Sequence, residues 1–209
     1  MRRVCLVALL VVSAAAGGQN TPAAPPGDVG FEAVSRRLSA IETLRAQFTQ
    51  TRQIPALSQP LHSRGRLIIS GLGLYWEQSE PFKTVLIANA DGLAQKIADQ
   101  PVVSVSVAEQ PMAVSISEVF LSIFRGDRRA LDEYFDVDFD SNGEAWTIRL
   151  VPRTFPLTEA VASIVVEGTV FLDRLSVQGV AEDLLTVEFS DQRSEPTALS
   201  REERELYIP

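Results

Sequence analysis

The chain has 209 residues, 45% of them hydrophobic, and a net charge of −8, enough for one domain with a real core. The acidic balance excludes a nucleic-acid binder, which needs a basic face for phosphates, and argues against stable adsorption to an anionic membrane surface. With one cysteine, Cys5, and one histidine, His62, neither a disulfide framework nor the usual zinc ligand sets can be built.

At the N-terminus, Arg2 and Arg3 precede an apolar run from Val4 to Val12 and then small residues, with Ala14-x-Ala16 as a cleavage site. Residues 1–16 read as a secretory signal peptide, too short for a membrane span. Cys5 lies at the basic end of this segment, so no lipid attachment is expected there. Its removal leaves an exported, soluble chain without thiols. Residues 17–30, GGQNTPAAPPGDVG, lack periodicity and read as a flexible leader.

The fold is expected over 31–195. Phe31, Val34, Leu38, Ile41 and Leu44 share one stripe of an amphipathic helix over 31–44. Period-two patterning then predicts strands over 46–54, 63–70, 74–78, 82–89, 92–98 and 102–108, divided by Pro55, Pro60, Gly71, Gly73, Pro81, Asp91-Gly92 and Pro101. Ser115 and Glu118 stand at capping-box spacing before an apolar stripe of Ile116, Val119, Phe120, Ile123 and Phe124, ended by Gly126. Asp127 can cap a second short helix over 127–135. Strands resume over 135–140, 144–152, 162–168, 170–178 and 184–191. The charged residues 196–209 read as a C-terminal tail. The result is a mainly β protein of about eleven antiparallel strands with short helices.

Catalytic chemistry finds little support in the pattern. His62 is a lone loop histidine with no Gly-x-Ser-x-Gly elbow elsewhere. Gly71-Leu72-Gly73 lacks the third glycine of a nucleotide fingerprint and reads as a turn. Asp136, Asp138 and Asp140 alternate with Val137 and Phe139, as a half-buried strand does, and miss the calcium-loop positions. The expectation is no enzyme and no cofactor, although a hydrolase using paired carboxylates stays open.

Each strand offers apolar residues on one side: Phe48, Leu67, Ile69, Leu74, Trp76, Val85, Ile87, Leu93, Ile97, Val103, Val105, Val107, Ile148, Leu150, Ile164, Val166, Phe171, Leu175, Val187 and Phe189. Their neighbours are largely polar, so the other face is expected to be wet. One reading is a curved sheet with a helical lid over a hydrophobic cavity. The other is a closed barrel filled by its own side chains.

The run 44–82 resembles the LolA family of periplasmic lipoprotein carriers, through Phe48-Thr49-Gln50, Gly65, Tyr75-Trp76 and Pro81. Residues 120–135 resemble the family's central lid segment, and Trp146, Leu150-Val151-Pro152, Gly168 and Val187-Glu188-Phe189 continue the likeness. The resemblance implies an unclosed eleven-stranded half-barrel with a short-helix lid over a hydrophobic cavity. It implies a monomeric periplasmic carrier that takes acyl chains of lipoproteins or related lipids from an inner-membrane donor towards an outer-membrane acceptor. A sensor or interaction domain that binds lipidated proteins as a signal is the alternative on the same fold. The residues expected to line the cavity and lid are Phe48, Leu67, Ile69, Trp76, Val103, Val105, Phe120, Phe124, Ile148 and Val166. Two turns depart from the family. Ser70-Gly71-Leu72-Gly73-Leu74 lacks the Arg that ties the lid shut, and Ala181-Glu182-Asp183 replaces a Gly-Asp-Thr-like turn. The latch is therefore expected to differ, and the cargo is left open.

Overall fold

The computed structural model describes residues 30–89, 92–98, 100–106, 119, 121–155 and 157–208. The expected signal peptide, the expected leader up to residue 29, the expected capping box at Ser115 and Glu118, and Phe120 lie outside the described residues.

The polypeptide enters through helix α1 (Phe31–Ser39), whose Phe31, Val34 and Leu38 are buried. It ends five residues earlier than its apolar stripe predicts, because the stripe runs on into a strand: Leu44 already belongs to β1 (Leu44–Gln53). Strands β2 (Leu61–Ser70), β3 (Gly73–Glu80), β4 (Thr84–Asn89), β5 (Gly92–Ile97) and β6 (Val103–Ser106) follow. A short helix α2 covers 121–125. Helix α3 (Arg128–Tyr134) is capped as predicted by Asp127, whose carboxylate accepts from the Ala130 amide at 3.1 Å. The second half comprises β7 (Phe135–Asn142), β8 (Ala145–Pro152), helix α4 (Leu157–Ala160), β9 (Val161–Gly168), β10 (Leu172–Gly179), β11 (Leu184–Arg193) and helix α5 (Arg201–Glu205).

The eleven strands form one sheet in the order β6-β5-β4-β3-β2-β1-β11-β10-β9-β8-β7, every pair antiparallel. It does not close, since β6 and β7 are its two ends. That excludes the sealed barrel and leaves the open half-barrel.

Register fixes which residues share a face. Phe139 stands opposite Ile148, Ile148 opposite Val166, Val166 opposite Leu175, and Leu175 opposite Val187. A second row runs Leu44, Ile69, Leu74, Ala88, Leu93 and Val105. Apart from Val105, whose side chain lies outside the described residues, these rows join α1, Val119, Ile123, Phe124 and Leu131 in one cluster on the inner face, with Phe139 and Leu93 packed against its buried residues. Two glycines mark close approaches in the sheet. A Cβ on Gly168 would stand 2.3 Å from the Trp146 ring, and one on Gly65 would stand 1.9 Å from the Glu77 carbonyl oxygen. The Trp146 indole is fixed by its own hydrogen bond to the Thr169 carbonyl at 2.7 Å.

The outer face is not uniformly wet. Ile68, Tyr75, Ile87 and Ala94 form a second buried cluster there, with Val85 packed against it. Val85 and Ile87 therefore face away from the inner rows, because their register partners, Glu77 and Tyr75, are outer-face residues. The cover is the C-terminal segment, which reads as a bare charged tail in the sequence. Tyr207 is buried and its hydroxyl donates to the Ile68 carbonyl at 2.9 Å. Arg45, itself buried, binds Glu203 through Nε at 2.6 Å and the Pro196 carbonyl at 2.8 Å.

Candidate functional site

The inner face is where the described residues concentrate apolar side chains. Six of the expected residues meet there: Phe48, Leu67, Ile69, Phe124, Ile148 and Val166 are all buried in the one cluster, and Trp76 packs against it half-buried. Leu67 and Trp76 are direct cross-strand partners, and Phe48 stands opposite Gly65. The Trp76 ring reaches across β2 and stacks on Phe48 with centroids 4.0 Å apart. Phe189, opposite Phe48, meets Trp76 edge-on at 6.3 Å. Such aromatic packing adds to burial, which is worth about 1.5–3 kcal/mol per large side chain.

Two expected residues stand apart. Val103 is 63% exposed on the end strand β6, where only β5 pairs with it. Val105 sits in register with Leu93 at the end of an inner row, but its side chain lies outside the described residues. The inner face also carries polar positions: Gln78 and Gln95 stand in register with Gly65 and Val103. The apolar surface is thus fullest over the half from β1 through β7.

The lid rests on this face. Phe124 of α2 meets Phe189 edge-on at 5.3 Å, and Val119 and Ile123 are buried in the same cluster. Among the described residues, Ile123 and Phe124 of the lid pack directly on the apolar side chains of the sheet. Clefts of about 490, 230 and 490 Å³ are described on the outer face, the first lined by Arg64, Arg66, Glu77 and Glu80.

The lid has a polar tie. Arg125 Nη2 donates to the Ser70 carbonyl at 3.3 Å, at the turn between β2 and β3. The turn has no arginine of its own, as the sequence shows, and the guanidinium reaches it from the lid instead. Ser70 is buried, and its Oγ accepts from the Leu72 amide at 3.1 Å and donates to the Tyr207 hydroxyl at 3.2 Å. The lid, the turn and the C-terminal segment therefore meet at one serine. Sequence reasoning missed Arg125 because it has to cross 55 positions to find its partner.

Other polar side chains pair with one another. His62 is exposed, with Thr51 Oγ1 3.2 Å from Nδ1. Glu77 receives Tyr75 at 2.7 Å and Arg66 at 2.9 Å. Burial works against its ionisation, but those hydrogen bonds outweigh it and hold the carboxyl below its ordinary range. Burial first, and the Glu77 bond second, push the Tyr75 phenol up to about 12. Glu203 is drawn down to about 2, chiefly by its hydrogen bond from Arg45. No group of three metal-ligating side chains is found among the described residues. None of the helices described is long and apolar enough to cross a membrane.

Comparison with known proteins gives the family. The sequence model of the outer membrane lipoprotein carrier protein LolA matches residues 39–201. No curated protein sequence matches the chain. Among solved structures, a LolA superfamily protein from Nitrosomonas europaea is 7% identical, with 79% of this chain and 93% of that chain covered and a TM-score of 0.41. A DUF1329 family protein from Desulfovibrio piger is 10% identical over 81% and 93%, with a TM-score of 0.45. A domain assigned to outer membrane lipoprotein sorting in Vibrio parahaemolyticus is 11% identical over 85% and 98%, with a TM-score of 0.42. At that distance the family match, which spans most of the chain, decides the matter: this chain belongs to the LolA family.

Proposed function

We propose that this protein is an exported, periplasmic carrier that takes the acyl chains of lipoproteins or related lipids between its sheet and its lid and delivers them towards the outer membrane. The observation that carries the reading is the open sheet whose buried apolar rows are capped by a helix with apolar side chains of its own. Membership of a family of lipoprotein carriers supports it.

The physical problem of such carriage is to hold an alkyl chain firmly and still release it. Exposing acyl chain to water costs about 0.8 kcal/mol per methylene, so a chain of roughly sixteen carbons faces a penalty on the order of 10 kcal/mol. Phe48, Leu67, Ile69, Trp76, Ile148 and Val166 supply the apolar wall that offsets it. Ile123 and Phe124 keep that wall dry when no cargo is present. On loading, the acyl chain replaces the lid's contacts, and apolar surface is exchanged for apolar surface at small net cost. A partner that favours the lifted lid then shifts the balance towards release. No nucleotide is required of the carrier; the donor supplies the work of loading.

Brominated palmitate quenches indoles at close range and tests this directly. In a Trp146→Phe variant, whose remaining indole is Trp76, saturable quenching is expected, with lipid also found on the native protein by mass spectrometry. Absence of saturable quenching, together with lipid-free protein from the periplasm, would overturn the reading.

A further inference from the structure

The connections β1–β2, β3–β4, β5–β6, β8–β9 and β10–β11 all fall at one end of the strands. The register shows it: Arg52 stands opposite Leu61, Gln78 opposite Thr84, Gln53 and Gln178 both opposite Leu184, and Phe135 opposite Pro152. Exposed large apolar side chains gather at this rim. Leu57, Leu61, Phe82, Val103, Phe155 and Val180 are among them, with Phe82 72% and Phe155 71% exposed. The opposite end shows Leu72 and Val170 among the described residues.

These tips are built, not frayed. The Phe82 carbonyl accepts from Gln78 Nε2 at 3.1 Å, the Leu57 amide donates to the Ile54 carbonyl at 2.9 Å, and the Val180 amide ties its turn to the Ala160 carbonyl at 3.2 Å. Behind them stand charges in pairs of opposite sign: Arg52 with Asp183 at 3.1 Å, Lys83 with Glu77 at 3.5 Å, Arg153 with Asp136 at 3.5 Å, and Arg64 with Glu80. Protruding apolar tips over internally neutralised charge match one kind of surface.

We propose that this rim seats on a lipid bilayer of zwitterionic headgroups, with Phe82 and Phe155 entering the interface. Phe82, Phe155 and Val180 lie on three separate connections, an arrangement that suits a bilayer better than a peptide or helix. A bilayer accepts separated insertions one by one, and the affinity follows the apolar area that enters it. These four ion pairs offer no net positive charge to anionic lipid, and a net charge of −8 repels such a surface. The choice of zwitterionic over anionic lipid is thus part of the proposal. It goes beyond the carrier reading and does not need it, since a protein without cargo has the same rim.

The test is flotation of the purified, cargo-free protein with phosphatidylcholine vesicles, and with vesicles in which a third of that lipid is replaced by phosphatidylglycerol. Wild type is expected to float with phosphatidylcholine and less well with the anionic mixture. The double variant Phe82→Ser/Phe155→Ser is expected to bind roughly tenfold more weakly. Val170→Ser, at the opposite end, is expected to match wild type. Failure of wild type to float, equal flotation of the double variant, or tighter binding to the anionic vesicles overturns the proposal. Brominated-palmitate quenching run on the same double variant keeps the two readings apart. Lost flotation with retained quenching supports the rim and leaves the carrier reading intact, while lost quenching in all proteins, with rim-dependent flotation retained, sinks the carrier reading alone.

Discussion

Gly65 carries more of the inner wall than its size suggests. A strand glycine normally weakens a sheet by about 0.5–1 kcal/mol. Here it stands opposite Phe48, on which Trp76 stacks, and the space beside it is bounded by backbone, since a Cβ would stand 1.9 Å from the Glu77 oxygen and 2.8 Å from Gln78 Cα. Backbone in the middle of a sheet cannot step aside. Gly65→Ala is therefore expected to destabilise the fold by about 2–3 kcal/mol, read as a lower urea midpoint at unchanged slope. The glycine and the tryptophan are both visible in the sequence, at positions 65 and 76. Their meeting is not, because it depends on which residue of β3 stands opposite which residue of β2.

Among the elements, the C-terminal segment shows how a legible signal can be passed over. Ser200 and Glu203 form a capping box: the Ser200 hydroxyl accepts from the Glu203 amide, and the Glu203 carboxylate from the Ser200 amide. The Ser-x-x-Glu pattern is plain in the sequence, but α5 is one turn long with no buried residue of its own, so hydrophobic periodicity offers nothing. What seats it is Arg45, buried in β1, whose guanidinium reaches Glu203 and the carbonyls of Pro196 and Ala198. The same ion pair sets a pH dependence. Glu203 lies near 2 in the folded chain and has an ordinary value of 4.5. Its contribution is whole above the ordinary value and is lost as the pH falls through the folded one. Protection of the amides from Leu206 to Ile208 against hydrogen exchange is expected to fall as the pH drops from about 5 towards 2. Glu203→Gln is expected to remove that pH step and cost about 2 kcal/mol at neutral pH, because it leaves the Arg45 charge uncompensated. The strands themselves were readable because alternation and turn residues reinforce each other. Val85 and Ile87 are the instructive exception: TVLIA is apolar at four of five positions, so period two cannot say which pair faces in, and the Tyr207 segment that covers them is 120 residues away.

At the scale of the molecule, the lid joins the two ends of the sheet. The segment between β6 and β7 contains α2 and α3, and β6 and β7 are the two unpaired margins. Any force that lifts the helices therefore pulls on both margins, and Arg125 at Ser70 is a polar point that resists it. Arg125→Ala is expected to leave the melting temperature nearly unchanged while speeding brominated-palmitate uptake about fivefold, the effect of losing one hydrogen bond of about 1 kcal/mol. Uptake equal to wild type would show that the contact does not restrain the lid. The centre of the sheet has a different origin. β1 and β11, the first and last strands of the chain, pair along eight register positions from Arg45 with Arg193 to Gln53 with Leu184. A ribosome delivering this polypeptide makes the two halves of its spine at opposite times. Until β11 has emerged, β1 lacks one of its two neighbours, and no strand pairing joins the two halves of the sheet. Pairings so distant along the chain form slowly, and a nascent chain held open in this way stays threadable until its synthesis is finished.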